Sequence, residues 1–312
     1  MHGRDHPDTL ATVGNLGLIF QRQGDYAQAE TLLRRSLEAC ERAHGRDHPD
    51  TLTSVGILGE LFSSQGDYAR AEPLFHRALE ARERVLGKDH PYTLISVNNL
   101  GLLFQSQGDY AAAEPLLRRA LEASERVLGS EHPDTLGSLN NLAMLFRSQG
   151  DYAAAELLLR RAIEASERVL GTDHPYTLIS VNNLAVVLFH NQGDYAQAEA
   201  LLRPALEAQE RVLGREHPQT LASVNTLAQL CESQGDYAQA ETLLRRALES
   251  RERVLGSQHL DTLLLVNNLA DLFARQSNYA QAERFYRRAL RSSTHRRTPV
   301  RKAHTSPDSG RT

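Results

Sequence analysis

The chain has 312 residues, 35 Lys and Arg against 39 Asp and Glu, a net charge of -4, and 41% hydrophobic residues. That much apolar material excludes a disordered chain, and the lack of surplus positive charge argues against nucleic acid or an anionic membrane as partner. No basic-then-apolar leader and no apolar run near the roughly 20 residues of a membrane span is present, so a cytoplasmic location is expected, and Cys40 and Cys231 lack the spacing of a disulfide framework or zinc site.

His-Pro opens a unit at His6, His48, His90, His132, His174 and His217, and His259-Leu260 marks a seventh; the steps are 42 residues with a single 43 before His217. A fixed period of this size marks stacked units that bury their apolar faces only against each other. The predicted units are 6–47, 48–89, 90–131, 132–173, 174–216, 217–258 and 259–291, a repeat domain over 1–291, followed by a disordered basic tail over 292–312.

Units one and two carry Asn15 and Gly56-Ile57 where later units carry paired asparagines, Asn98-Asn99, Asn140-Asn141, Asn182-Asn183 and Asn267-Asn268, with Asn225 alone in unit six. Unit four is the clearest to read. Pro133 suits a first helical turn, Asp134 places negative charge at that helix start, and Gly150-Asp151 closes a helix over Pro133 to Gln149. Asp151 then caps a second helix from Tyr152 to Leu170, ended by Gly171. Tyr152, Ala155, Leu159, Ala162, Ile163 and Val169 share its apolar side, while Glu156, Arg160, Glu164 and Arg168 form a charged stripe read as solvated. Unit five has one extra residue before its Gly-Asp-Tyr and Pro204 in its second helix; a bulge or longer turn would absorb the extra residue, and the two readings are a kink or change of superhelical curvature near 186–206, or harmless drift. Cys231 in unit six stands at an aromatic core position and is expected to be buried; Cys40, matched by Arg82, Ser124 and Gln209, is expected to be exposed.

The pattern Asn-Leu-Ala/Gly, an aromatic four residues after the Leu, Gly-Asp-Tyr and an Ala three residues further resembles the tetratricopeptide repeat; in unit four it reads Asn141, Leu142, Ala143, Phe146, Gly150, Asp151, Tyr152 and Ala155. The RVLGxxHP endings and the 42-residue period, longer than the usual 34 or so, are similar to the kinesin-light-chain subtype. The resemblance spans about 4–291 and implies an all-α, right-handed superhelical solenoid of seven helix hairpins, with one side of each first helix lining a peptide-binding groove.

On the first helix of unit four, Leu139, Leu142, Ala143 and Phe146 share the core side at 100° per residue, and Gly137, Asn140, Asn141, Met144 and Ser148 the opposite one. The expected groove residues are Asn98, Asn99, Leu102, Asn140, Asn141, Met144, Asn182, Asn183, Val186, Asn225, Asn267 and Asn268. Amides can pair with the backbone of any extended peptide, or bond to a neighbouring helix and serve structure alone. No Lys or Arg is read at these positions, which argues against a carboxylate clamp.

The histidines recur one per unit in linker turns, so no metal site is expected, and no catalytic motif or cofactor site stands out from the repeats. A non-enzymatic scaffold for a protein or peptide ligand is the main reading; the sensing arm of a larger signalling protein and, last, an RNA-reading repeat protein are the alternatives. The abrupt ends leave two readings, a fragment of a longer array or end-to-end self-association.

Overall fold

The computed structural model describes residues 7–191 and 194–295, and outside those bounds lies nearly all of the expected basic tail. Among the described residues there are fourteen helices and no strand: α1 Pro7–Arg22, α2 Tyr26–His44, α3 Pro49–Ser64, α4 Tyr68–Leu86, α5 Pro91–Gln107, α6 Tyr110–Leu128, α7 Pro133–Gln149, α8 Tyr152–Leu170, α9 Pro175–His190, α10 Tyr195–Val212, α11 Pro218–Ser233, α12 Tyr237–Leu255, α13 Leu260–Arg275 and α14 Tyr279–His295. The last of these runs past the boundary expected at 291.

The same local chemistry builds each hairpin. His132 sits before Pro133 with an extended backbone, and its Nδ1 accepts the Asp134 N–H at 3.2 Å, so histidine supplies the N-cap and proline the first helical residue. Asp151 caps α8 by accepting the Ala154 N–H at 3.0 Å. Gly171 ends α8 at φ 91°, in the left-handed region that a side chain would oppose, and Thr177 donates its hydroxyl to the Gly171 carbonyl at 2.8 Å. The threonine bond recurs at Thr51, Thr93, Thr135, Thr220 and Thr262 and ties each linker to the next first helix. It has no counterpart in the sequence reading.

Each helix packs on its chain neighbours, and consecutive first helices also meet: α3 with α5, α5 with α7, α7 with α9, and α9 with α11. Second helices make no comparable contact with one another among the described residues. First helices therefore form the tighter, inner wall of the solenoid. Leu139, Leu142, Ala143 and Phe146 are buried on its core side, as are their counterparts Val97, Leu100, Gly101, Val224, Leu227 and Ala228. A Cβ at Gly101 would stand 2.8 Å from Leu117, and one at Gly59 2.8 Å from Phe75, so these glycines let the two helices of a hairpin close.

In unit five Leu188 takes the buried slot in register, Phe189 is half-buried beside it against Tyr195, and α9 ends at His190. α10 runs as one helix through exposed Pro204, as α4 and α6 run through Pro73 and Pro115. Two expectations need correction. Val169 is 48% exposed, since the last turn of α8 is not covered by the next hairpin. Cys40 is buried, 6% exposed, with Ser54 donating to its sulfur at 3.6 Å. Its position faces the following first helix in units one to six, and Arg82, Ser124, Ser166 and Gln209 are buried there too. Cys231 is buried as expected; its thiol donates to Gln239 at 3.1 Å, and burial pushes its pKa up.

Candidate functional site

The asparagines expected in the groove all lie on first helices and, apart from exposed Asn267, are half-buried; Asn15 of unit one is exposed. Stacking brings them together across units. Asn183 donates to Asn140 Oδ1 at 3.0 Å, and Asn268 donates to Asn225 Oδ1 at 2.5 Å, so the second amide of one unit forms a rung with the first amide of the unit before. Asn140 also donates to Ser180 Oγ at 2.8 Å and to the Leu136 carbonyl at 2.9 Å, and Asn182 accepts from Ser223 at 3.0 Å. Unit two has glycine at the first position, and there Asn99 donates to Glu60 instead, at 2.8 Å. Much of the amide capacity thus serves the contact between first helices. Asn98 and Asn141, the pair that would make the rung between units three and four, form no hydrogen bond, and Asn98 Oδ1 is buried without a partner.

Beside the amides, Leu102, Met144 and Val186 are half-buried and Ile95 is 39% exposed, an apolar strip along α5, α7 and α9. A recess of about 320 Å³ opens where Leu102 meets Glu60, Phe75, Asn99 and Ser106. Burial raises the Glu60 pKa, against the Asn99 hydrogen bond and the Arg82 charge, which lower it. In units six and seven the strip turns polar, with Gln229 and Asp271 exposed beside a recess of about 290 Å³. That recess also holds Arg275, which stands where unit four has Ser148, so the expectation of a groove free of Lys and Arg fails at this point. The arginine is not free: its Nε lies 2.9 Å from Glu232 Oε1. Burial raises the Glu232 pKa, Arg275 lowers it, and Asp271 raises it further.

The charged stripe is solvated as expected, with Arg160 and Arg168 exposed, and arginines of the second helices also pair between units. Arg119, Arg161 and Arg246 reach back to Glu83, Glu125 and Glu210 of the preceding unit, while Arg168 pairs with Glu131 in the preceding linker at 2.7 Å. Arg82 and Arg251 were also missed. Arg82 is 5% exposed and donates to Tyr92 O, Ser96 Oγ and Thr53 Oγ1; Arg251 lies 3.1 Å from Asp261. Among the described residues no group of three His, Cys, Asp or Glu converges as a metal site, and no helix is long and apolar enough to cross a membrane.

The repeat geometry matches a family model described as tetratricopeptide repeat at 8–82, 55–125, 97–168, 176–253 and 224–294. The chain belongs to the tetratricopeptide repeat family. Its repeats are kinesin-light-chain-like: a crystal structure of nearly identical repeats from a putative kinesin light chain of Podosopora anserina is 28% identical, with a TM-score of 0.54, covering 66% of this chain and 97% of that one. BtubC (BKLC) from P. vanneervenii is 24% identical with a TM-score of 0.61, covering 78% and 99%. A Rap protein complexed with competence and sporulation factor shares the fold at 16% identity and a TM-score of 0.56, covering 92% and 98%. No curated protein sequence gives a significant match. The tetratricopeptide repeat fold suggests a protein-interaction scaffold, and every Asn, Leu, Met and Val expected in the groove stands on a first helix.

Proposed function

We propose that the chain is a non-enzymatic cytoplasmic scaffold whose first helices bind a peptide segment or a helix of another protein. The observation that carries this reading is the half-buried strip Leu102, Met144 and Val186 running beside amides on consecutive first helices. Such a surface offers apolar pockets for side chains and donors and acceptors for a main chain. The Rap protein of the same fold, solved with competence and sporulation factor, supports use of the array as a binding body. Glu60 and Asp271 on this wall, with Arg275 neutralised by Glu232, speak against a nucleic-acid backbone as ligand.

The test is selection from a displayed peptide library by the whole chain and by two variants. Met144→Glu puts a charge on the strip and is expected to lower recovery of selected peptides at least about tenfold, as an unpaired charge in an apolar contact should. Leu157→Glu changes a residue that is 70% exposed on α8 and is expected to leave recovery unchanged. Equal recovery by Met144→Glu and the unaltered chain would sink the groove reading.

A further inference from the structure

Six second-helix positions face the next first helix, and in two of them the chain places an arginine. Arg82 extends between α3 and α5, giving its Nη1 to Ser96 Oγ at 2.8 Å and to Tyr92 O at 3.1 Å. Arg251, with its side chain 13% exposed, places Nη1 3.1 Å from the Asp261 carboxylate. The space between consecutive first helices therefore accepts a guanidinium, and the chain shows two ways of holding one.

Between repeats three and four the same position holds Ser124, which is too short to enter, and a cavity of about 130 Å³ remains. Its lining includes Ile95, Asn98, Ser124, Asp134, Gly137 and Ser138. Ser138 is the counterpart of Ser96, and its hydroxyl makes the same bond to the backbone carbonyl four residues back, at 3.0 Å, which leaves its oxygen able to accept. Asp134 is the counterpart of Asp261, and its carboxylate is half exposed. His132 Nδ1 accepts the Asp134 N–H at 3.2 Å and stands 3.7 Å from Asp134 Oδ2, beyond hydrogen-bond distance. Neither arginine-filled junction has both groups, since Tyr92 stands in for the aspartate at the first and Leu265 for the serine at the second. Asn98 also lines the notch, and its buried Oδ1 has no hydrogen-bond partner.

Gly137 opens this cavity on the inner wall. Units three and five have Ile95 and Ile179 there, and a Cβ at Gly137 would meet nothing within 4 Å. A mid-helix glycine costs about 0.5–1 kcal/mol relative to alanine, and here no close packing requires it. We propose that the notch between repeats three and four is an arginine pocket: an arginine side chain of the bound polypeptide enters over Gly137 and pairs with Asp134 and Ser138, as the chain's own Arg251 and Arg82 do elsewhere. The planar fork suits two acceptors at once, which a lysine ammonium does not match. This rests on the reading of the inner wall as a polypeptide groove.

The probe is acetyl-Ala-Arg-Ala-amide, titrated into the full chain with backbone amide shifts followed by NMR, beside the same peptide with citrulline, which keeps the shape and loses the charge. Saturating shifts at Asp134, Gly137 and Ser138 are expected for arginine, with citrulline at least about tenfold weaker. Ser124→Arg lets the chain fill its own notch and Gly137→Ile closes it from the groove; both should abolish the shifts, and Asp134→Asn should weaken binding about tenfold. If Ser124→Arg does not fold, Gly137→Ile carries the same test, because its new side chain meets open space. Equal binding of the two peptides, no saturating shifts, or shifts that survive both filling variants would overturn the pocket. Tripeptide binding without recovery of any longer library peptide would support the pocket and sink the groove; library peptides held equally well by Ser124→Arg would do the reverse.

Discussion

In repeats three to five the position after the asparagine motif holds Leu102, Met144 and Val186, whereas in repeats six and seven it holds Gln229 and Asp271. One position later the two regions are alike: Leu103, Leu145, Val187, Leu230 and Leu272 are all 0% exposed. A single step along the helix, about 100° of rotation, thus separates a surface that changes along the array from a core that does not. The physical cause is the stacking itself. A core position must fit the hairpin before it and the hairpin after it, while the neighbouring, partly exposed position is free of that double demand. The surface can vary along the solenoid without disturbing its assembly.

The largest effect expected from that separation is in the core. Leu145→Ala and Leu272→Ala remove the same fully buried side chain from the two regions, and each is expected to cost about 2–5 kcal/mol. Denaturant unfolding followed by circular dichroism measures it. A central substitution that cost less than about 1 kcal/mol, below the range for such cavities, would mean that the repeats are not packed as uniformly as Leu103 to Leu272 indicate.

A smaller effect separates closed from open amide rungs. Asn183→Ala breaks the bond to Asn140 and leaves that oxygen unpaired, for an expected loss of about 0.5–1.5 kcal/mol. Asn141→Ala removes an amide that bonds to nothing, and the unfolding midpoint should stay where it was. Equal losses from the two would erase the distinction between the third-to-fourth junction and those on either side of it.

This distinction also marks what could be seen in the sequence. The period placed α7 at Pro133–Gln149 and α8 at Tyr152–Leu170 because proline, aspartate and glycine act locally, within a turn of where they stand. It aligned Asn140 with Asn182 and Asn141 with Asn183 as well. It did not say that Asn183 bonds across to Asn140 while Asn98 and Asn141 form no such bond, since that depends on fractions of an ångström between helices a whole unit apart. Cys40 was misjudged for a related reason: its counterparts Arg82, Ser124 and Gln209 are polar, and polarity suggested exposure. The next hairpin buries all of them, and it is the depth of that position that creates the notch at Ser124.

The smallest expected effect tests the polar end of the groove by pH. Glu232 is held with its side chain 12% exposed, and its pKa is raised above the ordinary carboxylate value because burial and Asp271 outweigh Arg275. A carboxyl whose folded pKa lies above its unfolded one favours folding while both states are protonated, and that contribution is lost as pH rises through the folded value. At pH 7 the ionised group is therefore a net burden on repeats six and seven, which a neutral amide of the same shape would lift. Glu232→Gln is expected to raise the thermal unfolding midpoint slightly at pH 7 and to lose that advantage below the unfolded carboxyl pKa, under about pH 4. The gain should be modest, because the same change also strips Arg275 of its partner. A variant less stable than the parent at pH 7 would show that the Arg275 ion pair, and not the burial of Glu232, dominates this end of the wall.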